Sequence, residues 1–227
     1  MVDMTLAQWR LAELAIHYPG ATAVLFKHQL DFCQAGQTRL ADAAVARQLD
    51  IEALISTLSK YQTQADDTDW SQYDSDTLIA HILHRYHERH RQQFPELIRL
   101  AERVELDNVN HAACPSGLVL LLMDMQFSLE THMQKEEQVL FPIILSGINR
   151  LASAPLSRMR EEDEAHQADL QQLQQITHQF TPPRDASITW QALYNNLQWL
   201  YRDLQQHIQL ENDILFARVE HGHTSLA

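Results

Sequence analysis

Glycine and proline are scarce in this chain, which has 5 glycines and 7 prolines among 227 residues. So few turn-forming residues argue against loop-rich β-sandwich and barrel folds. Alanine, leucine, glutamine and glutamate are abundant instead, and these residues favour helices. Hydrophobic residues make up 45% of the chain, which is enough for a sizeable core. The composition therefore predicts an all-α fold.

Cysteine, long apolar runs and positive charge are also in short supply. With only Cys33 and Cys114, the chain can form at most one disulfide. No secretory signal is evident, and the longest apolar run, 118–123, is too short to cross a bilayer. A net charge of −13 repels phosphate backbones. We therefore expect a cytoplasmic protein with reduced thiols that binds neither nucleic acid nor membrane.

The chain divides by its sequence pattern into three parts. Short amphipathic segments fill 1–60, and a polar linker without helical periodicity follows over 61–74. Four long amphipathic segments then fill 75–227, joined by loops of roughly 8–12 residues, which predicts an up-down four-helix bundle. Their approximate bounds are 75–104, 116–146, 155–179 and 187–219.

One ten-residue pattern occurs twice, as HMQKEEQVLF from His132 and as HIQLENDILF from His207. Each copy places a histidine four residues before a glutamate, Glu136 or Glu211, so that each pair shares a helix face that is otherwise apolar. A single such pair is more often an exposed contact. Two buried carboxylates would cost on the order of several kcal/mol each unless paired or bound to metal. Because the two helices run parallel in an up-down bundle, the repeat predicts a symmetric site that bridges two metal ions, and this ligand chemistry suits iron.

The other two long segments must supply further ligands. The first segment contains four histidines, namely His81, His84, His87 and His90. Spacing does not choose among them, and we expect three of the four on the surface. His87 lies on a stripe with Leu83 and Phe94. The third segment presents Asp163 and His166 on one face.

Together these motifs resemble the repair-of-iron-centres family of YtfE-like and ScdA-like proteins. The likeness is carried by RYHERH in the first long segment, by both decamers, and by ATAVLFKHQLDFC near the N-terminus. It implies a small helical ScdA-type N-terminal domain, followed by a hemerythrin-like bundle with two non-haem iron ions joined by oxo and carboxylate bridges. His87, His132 and His207 would bind these ions, and Glu136 and Glu211 would bridge them.

The resemblance also implies a function. Family members are associated with repair of iron–sulfur clusters damaged by nitrosative or oxidative stress, through iron donation, nitric oxide chemistry, or both. Partners would be damaged iron–sulfur proteins or their assembly machinery, with nitric oxide or oxygen as small ligands. A homodimer is compatible with an N-terminal domain on a polar linker. Whether the chain turns over a substrate is left open.

Two positions depart from the family pattern. The family's Cys-Cys-Gly-Gly run reads CQAG from Cys33, which leaves Cys33 as a single thiol that could bind a ligand or cofactor or have no role. Asp163 stands where the family has its third-segment histidine, and His166 follows one turn later on the same face. Ungapped alignment favours Asp163 as the metal ligand, whereas a set of four histidines and two glutamates favours His166.

Two other functions compete with cluster repair. A hemerythrin-type carrier or sensor of oxygen or nitric oxide would share the bundle and the di-iron centre, but it would not need the N-terminal domain. A helical interaction protein would use the histidine–glutamate pairs as metal-free buried salt bridges. Metal content separates the last hypothesis from the other two.

Overall fold

The computed structural model describes residues 4–61 and 68–221. Regular structure in these ranges is helical, apart from one isolated antiparallel bridge between Arg10 and Arg39. This confirms the predicted all-α class. Residues 62–67 of the predicted linker lie outside the described residues. No helix in the described ranges is both long and apolar enough to cross a membrane.

Short helices make up the N-terminal part of the chain. They are a 3₁₀ turn at Met4–Gln8, α1 at Leu11–His17, α2 at Ala21–Lys27, α3 at Leu40–Ala46 and α4 at Ile51–Ser59. The start of α4 follows from its sequence, because the side chain of Asp50 accepts hydrogen bonds from the free backbone N–H groups of Glu52 and Ala53. A second 3₁₀ turn, Trp70–Gln72, precedes the long segments.

The four long segments are helical, but three of them are interrupted by a π-helical turn. The first contains α5 (Ser75–Ile82), a π turn (Leu83–His87) and α6 (Glu88–Asp107). The second contains α7 (Leu118–Lys135), a π turn (Glu136–Leu140) and α8 (Phe141–Leu145). After a 3₁₀ turn at Asn149–Leu151, the third is the regular helix α9 (Ser153–Ile176). The fourth contains α10 (Ile188–Gln209), a π turn (Leu210–Phe216) and α11 (Ala217–Glu220).

The start of the third segment differs slightly from the prediction. The third segment was expected to begin near residue 155, but helix α9 begins two residues earlier, at Ser153. Pro155 is tolerated there because the first-turn N–H groups of a helix have no intrahelical partner.

Contacts between residues divide the chain into two compact units. Unit one contains Met1–Asp66, Glu96–Ser116 and Thr177–Trp199, and unit two contains Asp67–Pro95, Gly117–Ile176 and Leu200–Ala227. All four long segments meet in the core of unit two, where Ile82, Phe141, Leu156 and Phe216 are buried in one cluster. The domain limits at residues 60 and 75 remain a prediction about folding units.

Candidate metal centre

Unit two contains two groups of buried residues with metal-binding side chains. Within each group, one potential donor atom from every residue lies within 4.8 Å of the others. The first group is His87, Glu136, His207 and Glu211, and the second is His132, Asp163 and His166. No member is more than 4% exposed. The structure therefore brings all seven metal-ligand candidates from the sequence into the interior of one unit.

The π turns coincide with the positions of several candidates. His87 ends the first π turn, Glu136 begins the second, and Glu211 is the second residue of the third. A π turn inserts an extra residue and rotates the helix that follows, and such turns are frequent at functional sites. Helix α9, which carries Asp163 and His166, is regular throughout.

Glu136 connects the two groups. Its Oε2 atom lies 3.4 Å from His87 Nε2 and 3.5 Å from His132 Nε2. In the first group, Glu211 Oε1 lies 3.0 Å from His207 Nε2 and 3.9 Å from His87 Nε2. One carboxylate thus stands between histidines of different groups, which is the placement that a bridging ligand requires.

Asp163 lies between the two histidines of the second group. Its Oδ1 atom is 3.5 Å from His132 Nε2 and 3.9 Å from His166 Nδ1. The two imidazole rings meet edge to face, with centroids 5.0 Å apart. Asp163 and His166, between which the sequence did not choose, therefore both belong to the second group.

Many donor atoms of the centre make no hydrogen bond to any described residue. They are His87 Nε2, His132 Nε2, both oxygens of Glu136, Asp163 Oδ1, His166 Nδ1 and Glu211 Oε2. Buried polar atoms in proteins are normally satisfied, and one left unsatisfied costs about 1–3 kcal/mol. Cations would satisfy nitrogen and oxygen lone pairs together, so the residues present fit a metal centre.

Without a metal, the histidines and carboxylates of the centre shift one another's pKa. Burial lowers the pKa of His87, but the nearby carboxylates of Glu136 and Glu211 outweigh burial and raise it from 6.5 to about 10. Burial likewise lowers the pKa of His132, and the charges of Glu136, Glu211 and Asp163 raise it to about 9. Protons on these two rings therefore compensate the buried carboxylates in the absence of a metal.

The pKa values of two carboxyl groups in the centre, Glu211 and Asp163, are shifted in opposite directions. Burial raises the pKa of Glu211, but the charge of His207 and contacts with His87 and His132 lower it overall. In contrast, the pKa of Asp163 is raised, first by burial and then by the negative charges of Glu211 and Glu136. Asp163 is thus a carboxylate whose charge is poorly compensated without a cation.

Two carboxylates outside the groups lie beside histidines inside them. His87 Nδ1 lies 2.8 Å from Glu137 Oε1, which Arg91 also contacts at 3.0 Å. His132 Nδ1 lies 3.3 Å from Glu162 Oε2. The carboxylate of Glu137 at His87 Nδ1 holds the proton there, which leaves His87 Nε2 to face the centre, whereas Glu162 lies near His132 Nδ1 without a hydrogen bond to it. These outer partners carry no motif of their own in the sequence.

The first long segment also contains a second buried histidine. His84 is exposed and His81 half-buried, but His90 is fully buried, so the expectation of three surface histidines is wrong for His90. The ring of His90 lies 5.3 Å from that of His207, and its Nδ1 lies 3.2 Å from Gln93 Oε1. The buried residues Tyr86 and Phe94 lie four residues away on either side, and this helical spacing was the signal for its burial.

Cys33 belongs to unit one and to neither group. It is exposed, and its Sγ lies 3.0 Å from Thr189 Oγ1. A ligand-binding role for Cys33 stays a prediction from the sequence.

Comparisons with known proteins agree with this geometry. Residues 78–219 match the hemerythrin HHE cation binding domain, and residues 7–62 match ScdA_N, a domain of unknown function. A probable iron-sulfur cluster repair protein of Haemophilus influenzae is 42% identical over 220 residues, which cover 95% of this chain and 98% of the relative. The iron-sulfur cluster repair protein YtfE of Yersinia pseudotuberculosis serotype IB is 43% identical over 213 residues, covering 93% and 96%.

A Yersinia pestis protein of the same name is also 43% identical over 213 residues. Both domains and nearly the whole chain are therefore shared with these relatives, which confirms the resemblance inferred from the motifs. The chain belongs to the family of iron–sulfur cluster repair proteins that combine a ScdA-type N-terminal domain with a hemerythrin-like cation-binding domain.

Proposed function

We propose that this protein binds two iron ions in the buried centre of unit two and uses them in the repair of damaged iron–sulfur clusters in the cytoplasm. The observation that carries the proposal is the set of unsatisfied donor atoms, which form two groups connected by Glu136. Cluster repair as the biological process is inferred from the names of the relatives. A buried iron-binding centre gives a chemical reason for that process. Damaged iron–sulfur proteins would be the partners.

The geometry suggests a division of the ligands between the two ions. His87 and His207 would hold one ion, and His132 with residues of α9 would hold the other. Glu136 lies between the groups, which supports a bridging role for it. Glu211 lies against His87 and His207 of the first group, and its role as the second bridge comes from the family resemblance. When bound, iron would supply coordination positions for nitric oxide or oxygen, and it could itself be the cargo delivered to a cluster.

The protein's own residues prepare the site for that chemistry. Glu137 orients His87 through its outer nitrogen, which sets the position of that ring before any ion arrives. Burial of all seven candidate ligands excludes water, so the charges of the centre act in a medium of low dielectric. A proton on His87 or His132 leaves when that ring binds a cation, which couples metal loading and release to pH.

Carriage of oxygen or nitric oxide is the competing function for the same centre. Similarity that extends through residues 7–62 and over most of the chain favours repair, because a plain carrier needs only the bundle. The distinction can be measured, because a carrier would form a stable, reversible oxygenated species and would not restore an inactivated cluster enzyme.

Metal analysis tests the centre directly. After anaerobic reconstitution we expect about two iron ions per chain, and His132→Ala and Glu211→Ala should each lose iron while helicity is retained. His84→Ala is the matched control, because the His84 side chain is 85% exposed and belongs to neither group. A folded wild-type chain that retains one ion or fewer would contradict a dinuclear centre.

The repair function needs a second assay. The iron-loaded protein should restore activity to a [4Fe–4S] dehydratase inactivated by nitric oxide, and the Glu211→Ala variant should not. Equal reactivation by both proteins would show that the centre is not the source of repair, even if it binds iron.

A further inference from the structure

Helix α9 contributes two potential ligands, Asp163 and His166, to the second group, whereas the sequence analysis expected one of them to bind. Asp163 is 2% exposed and His166 is 4% exposed, and Asp163 Oδ1 and His166 Nδ1 each make no hydrogen bond to a described residue. Resting on the dinuclear centre proposed above, we propose that Asp163 and His166 bind the same ion together with His132. The second metal position would then be a mixed site of two imidazoles and an extra terminal carboxylate.

The alternative is that one of the two residues simply satisfies the other. Their closest approach is 3.9 Å, from His166 Nδ1 to Asp163 Oδ1, which is too long for a hydrogen bond. With an ion between them, both atoms and His132 Nε2 would be satisfied at once. Spacing by three residues on a regular helix places both side chains on one face, so neither must move along the helix to reach the ion.

A hydrogen-bond chain holds Asp163 in the orientation that this site needs. Asn212 Nδ2 donates to Asp163 Oδ2 at 2.8 Å, and Arg160 Nη1 donates to Asn212 Oδ1 at 2.7 Å. Because a guanidinium only donates hydrogen bonds, it fixes the carbonyl side of Asn212 towards itself and the amide N–H₂ towards Asp163. Oδ2 is thereby engaged, and Oδ1 is left to face His132.

The same chain links the mixed site to a bridging candidate. Asn212 directly follows Glu211 in the third π turn, and Arg160 is also anchored by Glu220 at 3.0 Å. Asn212 and Arg160 are therefore positioning residues for Asp163.

The chemical consequence is an unequal pair of metal positions. Three carboxylates would serve the centre, whereas the family pattern has two, and the additional anionic oxygen belongs to the second position. Anionic oxygen ligands stabilise the more highly charged ferric ion relative to the ferrous ion. We therefore expect a lower reduction potential at the second position and tighter retention of its iron.

Four variants of the full-length chain test the mixed site: Asp163→Ala, Asp163→Asn, His166→Ala and Asn212→Ala. Glu161→Ala is the control, because Glu161 lies on the same helix with its side chain 64% exposed. The readouts are stepwise ferrous affinity by anaerobic equilibrium dialysis, the midpoint potential of the bound iron, and helicity. The isosteric Asp163→Asn variant keeps the test valid if Asp163→Ala folds poorly.

We expect Asp163→Ala and His166→Ala each to weaken the second ion about 100-fold or more, and Asn212→Ala about 10-fold or more, because loss of outer partners alone costs about 10–100-fold. Asp163→Asn should raise the midpoint potential, which a merely structural role would not do. If either Asp163→Ala or His166→Ala keeps both ions at wild-type affinity, that residue is a bystander and the mixed site is wrong.

Failure of the proposed dinuclear centre would give a different result from failure of the mixed site. A wild-type chain with one ion, lost in both Asp163→Ala and His166→Ala, would refute the dinuclear centre and retain the mixed site. A folded wild-type chain that binds no iron would overturn both.

Discussion

Iron binding should release about two protons from the centre at neutral pH. In the metal-free protein the pKa of His87 is about 10 and that of His132 about 9, because both rings face buried carboxylates. Both rings therefore carry a proton at pH 7, and a metal binds only the neutral imidazole. In the proposed centre His87 and His132 bind different ions, so each ion would displace one proton.

The magnitude follows from this proton count. Each of the two iron affinities should rise about tenfold per pH unit between about pH 6.5 and 8, and each should level off only near the pKa of its own histidine. Histidines with the ordinary pKa of 6.5 would be largely neutral above pH 7, and the affinities would then be almost flat over the upper half of that range. Between pH 7 and 8, the raised histidine pKa values thus predict a rise in each iron affinity that is about tenfold, whereas ordinary pKa values predict almost none.

Competition with a ferrous chelator of known pH dependence would measure the affinities under anaerobic conditions. Calorimetric titration in two buffers of different ionisation enthalpy would count the released protons directly. His84→Ala serves as a control with an unchanged slope, because its side chain is exposed. Flat affinity above pH 7, or release of fewer than one proton at pH 7, would refute the description of the metal-free centre as carboxylates compensated by protonated histidines.

Three further outcomes follow from the same geometry. Glu137→Ala should weaken iron binding about 10–100-fold without loss of helicity, because His87 loses the partner that orients it, and equilibrium dialysis measures this change. Asp163→Asn should raise the free energy of unfolding of the metal-free chain in urea titrations at pH 7, because it removes a buried negative charge that lies near Glu211 and Glu136. Because the folded-state pKa of Asp163 is raised, that gain should vanish below about pH 4, where the carboxyl is neutral in the unfolded chain as well. Removal of iron by a chelator should lower the melting temperature of wild type and leave a Glu211→Ala variant nearly unchanged, because only iron bound to the folded state stabilises it.

Much of the centre could be predicted from local sequence. A histidine four residues before a glutamate shares a helix face with it, and the apolar residues around both decamers indicate that the face is buried. His132, Glu136, His207 and Glu211 were therefore identifiable as interior residues from spacing alone. The all-α class followed from composition and periodicity for the same reason, since both depend on residues close together in the chain.

Other features depend on neighbours that are distant in sequence. His90 and His84 lie on the same long segment, but only the fold shows that His90 packs against His207, with ring centroids 5.3 Å apart, while His84 stays exposed. The π turns rotate each helix partway along its length, so a face extrapolated from ideal helical spacing is wrong beyond them. The partition into two compact units was also beyond the sequence pattern, because it cuts through single long helices.

The sequence by itself determined a helical protein with two matched histidine–glutamate pairs and an unresolved choice between Asp163 and His166. Only the tertiary structure decided that both residues reach His132, that Glu136 stands between the two groups, and that Asn212 and Arg160 orient Asp163. The physical reason is the range of the interactions. Helix periodicity is set by hydrogen bonds four residues apart, whereas a metal centre is set by side chains that meet across a bundle.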